Sequence, residues 1–223
     1  LTFMVIITTV ILYGLTAGPF QRLLGLSLGD KTGLLIVGAN SFSIEFAKAL
    51  KNLGRFVLMV DTNRNHIMLA KSQGLRAIHR NIFSDNIQDN LEINGVATVL
   101  ALTSSEEINM LANIQWSDSL GKDQTYRLQP NQKMEVNEGL KHHDMGALLF
   151  NKHANYSYLA TRMHSGSTIQ CIGIDSIETV QALKTEHGER FIPLAILDKD
   201  GQLRFVEVGK DPEFAAGDQV LAL

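Results

Sequence analysis

Thr32-Gly33-Leu34-Leu35-Ile36-Val37-Gly38-Ala39-Asn40-Ser41-Phe42-Ser43 is the stretch on which the fold of this chain turns. Four apolar residues, 34–37, run without interruption into a glycine, and an amphipathic pattern begins at Ser43, with Ile44, Ala47, Leu50 and Leu53 at helical spacing before Gly54 stops it. A second apolar run, 56–60, closes on Asp61. Strand, glycine turn, helix and acid-tipped strand make the opening half of a nucleotide-binding α/β unit.

The alternation continues outward. A short helix over 63–72 is closed by Gly74, and strands are expected at 75–78, 96–102 and 125–128, with a helix over 105–120 between the last two. Continuous apolar strands separated by helices imply a parallel sheet covered on both faces, and right-handed crossovers then give a doubly wound, Rossmann-like sheet over residues 32–130. Residues 131–152 read as a connector, partly helical, with Gly146-Ala147-Leu148-Leu149-Phe150 as an apolar anchor. Residues 153–223 read as a small α+β domain: a helix over 156–164, then β-like runs at 167–174, 191–197, 203–208 and 219–223, with turns at Asp198-Lys199-Asp200-Gly201 and Gly217-Asp218.

Upstream, residues 1–21 carry no charge and no acid precedes Asp30. A bilayer-crossing helix needs about 20 apolar residues, so 1–26 is expected to be the end of a transmembrane helix, with Arg22 and Lys31 placing its exit on the cytoplasmic side. The chain of 223 residues is 45% hydrophobic, enough for a core, and a net charge of -3 argues against a nucleic-acid partner. Cys171 is the single cysteine, which excludes a disulfide framework; it lies in a β pattern and is expected in the core.

The glycine loop defines the candidate cofactor site. Of the three fingerprint glycines Gly38 keeps the first, while Asn40 and Ser43 replace the others. Asn40 tolerates φ > 0, so the turn survives, but its side chain is expected in the path of phosphate oxygens, a path that glycine would clear. Ser41, Phe42 and Ser43 open the helix whose free N–H groups suit a phosphate, and Ser43 could also donate to an anion. Asp61, beside Thr62, is placed to accept both ribose hydroxyls, and Thr103 ends the fourth strand facing the same crevice. A ligand-free Rossmann scaffold is the other reading of these residues. No Tyr-x-x-x-Lys pair, phosphate-loop lysine or metal spacing is present; His142-His143 lacks partners and reads as a solvated pair. No catalytic group is therefore expected.

Residues 10–26, Val-Ile-Leu-Tyr-Gly14-Leu-Thr-Ala-Gly-Pro19-Phe-Gln-Arg-Leu-Leu-Gly25-Leu, resemble the close of the transport domain in bacterial sodium/proton antiporters of the cation:proton antiporter-1 family. The following block resembles the regulator-of-potassium-conductance (potassium-transport nucleotide-binding) domain that some of them carry. Glu107-Ile108-Asn109 matches its acid–x–Asn pattern, whereas its usual Gly-Asp after the third strand appears as Arg80-Asn81. The resemblance implies the cytoplasmic regulatory region of a monovalent cation (sodium or potassium)/proton antiporter at the cell membrane, not an enzyme. It would sense NAD(H) or an adenine nucleotide, act on the upstream transport domain of the same protein, and pair as a homodimer through the helix after the fourth strand. A soluble NAD-dependent oxidoreductase and a ligand-free dimerisation module are the alternatives.

Overall fold

The computed structural model describes residues 3–7, 9, 32–84, 95–131 and 146–223. The chain divides into two units, Leu1–Lys31 and Thr32–Leu223. In the first, residues 3–7 and 9 are helical and exposed, and the Thr9 hydroxyl donates to the Val5 and Ile6 carbonyls. Among the described residues no helix is long and apolar enough to cross a membrane. The remainder of the expected membrane segment, the linker at 29–31, residues 132–145 of the connector and the His142-His143 pair lie outside the described residues.

The second unit begins with β1 (Gly33–Val37), whose five residues are all buried. Successive side chains of a strand point to opposite faces, and here both faces are covered. Leu34 and Ile36 enter the core beneath α1 (Ser41–Asn52) and α2 (Arg64–Ser72), while Leu35 and Val37 join the one beneath α3 (Glu106–Leu120). With β2 (Val57–Asp61), β3 (Arg76–His79), β4 (Val96–Ala101), β5 (Thr125–Arg127) and β6 (Ala147–Leu148), β1 forms a six-stranded parallel sheet in the order β3-β2-β1-β4-β5-β6. The expected Rossmann-like α/β fold is the one observed. The order reverses between β1 and β4, so these strands bound the crevice where ligands of such sheets bind.

Two elements of the later chain differ from expectation. The apolar anchor expected in the connector is the sixth strand, β6, paired through Tyr126↔Ala147 and Arg127↔Leu148. A two-residue strand at a sheet edge carries no periodicity of its own, and only pairing with β5 defines it. Residues Ile177–His187 form a helix, α5, where no helix was expected. The β-branched Ile177, Thr179 and Val180 at its start mask the pattern.

After α4 (Tyr156–His164), the strands β7 (Gln170–Gly173), β8 (Pro193–Leu197), β9 (Leu203–Phe205) and β10 (Gln219–Ala222) make an antiparallel sheet ordered β7-β10-β8-β9. Its hairpin between β8 and β9 is the expected one: Asp198 Oδ1 accepts from the Asp200 and Gln202 N–H groups, and Gly201 sits at φ 78°. Cys171 corrects the expectation of a core residue. It is exposed on β7, an edge strand, with its Sγ 3.8 Å from Gln219 Oε1.

The two sheets share a core. Leu221 and Leu223 face α1 and α4, whereas Val220 and Ala222 pack with Val180 of α5 on the opposite face. An aromatic chain crosses the junction: Phe46 lies 5.8 Å from Phe42, 5.8 Å from Phe150 and 6.3 Å from Phe205, ring centre to ring centre. Backbone bonds from Phe150 N to Val206 O (2.7 Å) and Val208 N to Leu148 O (2.8 Å) stitch the β6 edge to the segment after β9.

Candidate functional site

At the carboxyl end of β1 the chain turns through Gly38 at φ 98°. A Cβ there would lie 3.0 Å from Thr103 Cγ2 and 3.2 Å from the Leu102 carbonyl oxygen. Both the left-handed conformation and the close approach of the β4 end demand glycine. This is the one fingerprint glycine the geometry requires.

Asn40 departs from the sequence expectation. It is at φ -82°, ψ 175°, ordinary extended backbone, and serves as the N-cap of α1. Its Oδ1 accepts from Ser43 N at 3.0 Å, and its Nδ2 donates to Leu102 O at 2.6 Å. The side chain is thus tied to the helix start and the β4 end, and is not the obstruction that sequence alone suggested. Ser43 is fully buried, with its hydroxyl 2.7 Å from Gly38 O and 3.1 Å from Asn40 O, so it closes the turn rather than offering a donor to an anion. Phe42, included among the candidate residues, has its ring in the core against Phe46 and Phe150 and brings only its backbone to the loop. Ser41 is exposed. With Ser43 N capped, the N–H groups of Ser41 and Phe42 have no intrahelical acceptor and retain the capacity to meet an anion.

Asp61, at the tip of β2, is bound inward. Oδ2 accepts from Ala39 N at 2.7 Å and stands 3.2 Å from His66 Nδ1, and Oδ1 accepts from Asn63 N at 2.8 Å. A carboxylate has about four acceptor positions. Three are occupied, so the expectation that both oxygens are free for ribose is corrected: one position, on Oδ1, remains. Thr62 follows, and its carbonyl lies 2.8 Å from His79 Nε2.

Thr103 is held by Asn109, which is 4% exposed. Asn109 Oδ1 lies 2.9 Å from Thr103 N and 2.7 Å from Thr103 Oγ1, and its Nδ2 donates to Thr103 O at 3.0 Å. The acid–x–Asn pattern therefore acts through its asparagine, which fastens the loop after β4 to α3. The acid, Glu107, accepts from Ser105 Oγ at 2.8 Å, and this bond holds its carboxyl below the usual range.

Gly38, Asp61, Thr62 and Thr103 line one cleft of about 150 Å³. Ser41, Phe42, Asn40 and Ser43 are not on its wall. Sequence reasoning missed the rest of the lining, above all Arg80, Asn81, Ile82 and Phe83 from the loop after β3 and Ile108 from α3. Arg80 is anchored through its backbone N–H to Asp61 O at 3.1 Å and has an exposed side chain. Its position immediately after a parallel strand was the available signal, because the carboxyl ends of such strands face the ligand crevice. Among the described residues no group of three His, Cys, Asp or Glu could hold a metal ion.

Residues 34–126 match the family model of the TrkA-N domain. No curated protein matches the chain. Among solved structures, the NAD(P)-binding domain of an exopolyphosphatase-related protein from Archaeoglobus fulgidus is 21% identical, covering 47% of this chain and 78% of its own, with a TM-score of 0.40. The GsuK RCK domain is 11% identical over 86% of this chain and 44% of its own, with a TM-score of 0.42. A GsuK channel bound to NAD is 10% identical over 85% of this chain and 36% of its own, at 0.40. This chain spans less than half of either GsuK chain.

Proposed function

We propose that this chain is the nucleotide-sensing regulatory region of a monovalent cation/proton antiporter, on the cytoplasmic side of the cell membrane, and that it is not an enzyme. The observation that carries the nucleotide reading is the meeting of Gly38, Asp61 and Arg80 in one cleft beside the first turn of α1. A phosphate would take the Ser41 and Phe42 N–H groups, a ribose hydroxyl the spare position on Asp61 Oδ1, and Arg80 would add positive charge. NAD(H) and adenine nucleotides have this chemistry. A cleft of about 150 Å³ is smaller than the several hundred Å³ of most ligand sites, so part of the ligand would lie outside it. The match of residues 34–126 to the TrkA-N model supports the same reading, and the antiporter context rests on the resemblance of residues 10–26. Binding would favour one domain arrangement, and residues 29–32 would carry that bias to the membrane helix. Calorimetric titration with NADH, NAD and ATP tests the site; heat from none of them at millimolar concentration overturns it. Recovery of the whole protein in the soluble fraction after lysis overturns the antiporter context.

A ligand-free homodimerisation module is the second reading. The internal hydrogen bonds of Asp61 and Thr103 favour it, as do Ile108 and Leu111, which are 38% and 48% exposed on α3. A monomeric mass at tens of micromolar would remove the homodimer from both readings.

A further inference from the structure

A cavity of about 360 Å³ lies away from the crevice, between α4, α5 and β10. That is the size of a small-molecule site. Ile172, Leu183 and Phe191 contribute apolar wall, and Arg162 and Arg190 contribute cationic groups. Among its described lining residues there is no aspartate or glutamate.

The guanidinium of Arg162 is fixed by neutral partners. Nε donates to Ser167 Oγ at 3.1 Å, and Nη1 lies 3.2 Å from Tyr158 Oη and 3.0 Å from Arg190 O. The Tyr158 ring sits 5.9 Å beneath it. Nη2 has no partner among the described residues. A structural arginine is commonly neutralised by a carboxylate; among the described residues this one is oriented by neutral partners alone, which is the arrangement that planar recognition of carboxylate or phosphate uses. Ser167 Oγ, already accepting from Arg162, has its own proton available to donate. Arg190 is exposed on the same rim.

We propose that this cavity binds a small organic anion with a flat apolar body, a carboxylate or a phosphate ester. Its acid group meets Arg162 and Arg190, and its body packs on Ile172, Leu183 and Phe191. The site is independent of the nucleotide crevice, and failure of either leaves the other standing.

The test is a ¹⁵N–¹H titration of the 223-residue chain with phenyl phosphate, benzoate and inorganic phosphate. Phenyl phosphate or benzoate is expected to shift the Ser167, Thr168 and Gln170 amides, and the tighter of the two identifies which acid the site prefers. Inorganic phosphate, lacking the apolar body, binds at least about tenfold more weakly. Arg162→Lys, which keeps the charge but loses the fork, and Arg190→Gln, at an exposed position remote from the core, each weaken binding at least about tenfold, one decade being 1.4 kcal/mol. Shifts absent from these amides overturn the proposal. So does unchanged affinity in both variants, or inorganic phosphate binding as well as the aromatic anions.

Discussion

The carboxylate of Asp61 is tied to the backbone N–H of Ala39 across 2.7 Å, joining the tip of β2 to the turn that follows β1. The acid that a ribose would use is therefore also the brace of the glycine turn.

Asp61→Ala is expected to destabilise the fold by about 1–3 kcal/mol, because the Ala39 and Asn63 N–H groups lose their acceptor. Asp61→Asn keeps an acceptor and should recover most of that stability while losing the charge. If the crevice binds NADH, both variants weaken it by about tenfold or more. Urea unfolding alongside calorimetry separates the two effects. Equal stability of Asp61→Ala and the parent would refute the bracing role.

Asn40→Gly reverses the expectation drawn from sequence. Glycine is nearly as good an N-cap, but the bond to Leu102 O disappears, so a loss of about 1 kcal/mol is expected with no gain in nucleotide affinity. A tighter nucleotide complex in this variant would show that the side chain leaves its position to obstruct the phosphate.

Phe46→Ala should cost about 3–5 kcal/mol, since the ring is fully buried and touches the aromatic groups of both halves. The two sheets share that core, so thermal unfolding should remain one transition at lower temperature. Two separated transitions, only one of them displaced, would mean that the halves fold independently.

Tyr126 is pushed up to about 12, first by burial and then by the nearby Glu207 and Asp123 carboxylates. Its Oη donates to Asp123 O at 2.9 Å. A phenol raised in the folded state stabilises the fold below the unfolded pKa of about 10, and that contribution fades as pH rises through 12. Stability should therefore fall between about pH 10 and 12, and less steeply in Tyr126→Phe. An ultraviolet titration in which all tyrosines ionise together near pH 10 would contradict this.

Sequence by itself determined the parallel sheet, because uninterrupted apolar strands such as 34–37 admit only an environment buried on both faces. It also located Gly38, Asp61 and Thr103, whose places at strand ends follow from chain order. What the tertiary structure decided is where each polar side chain finds its partner. Asn40 reaches Leu102 and Thr103 lies against Gly38, contacts over more than sixty positions that no local pattern encodes. Arg80 and Phe83 reach the same cleft only because β3 lies beside β2. The short β6 and the shared aromatic core arise the same way: a two-residue strand and a lone Phe205 have no periodicity, and pairing and packing across the fold give them their roles. Local spacing encodes the period of an element, whereas hydrogen-bond satisfaction and close packing are properties of the assembled interior.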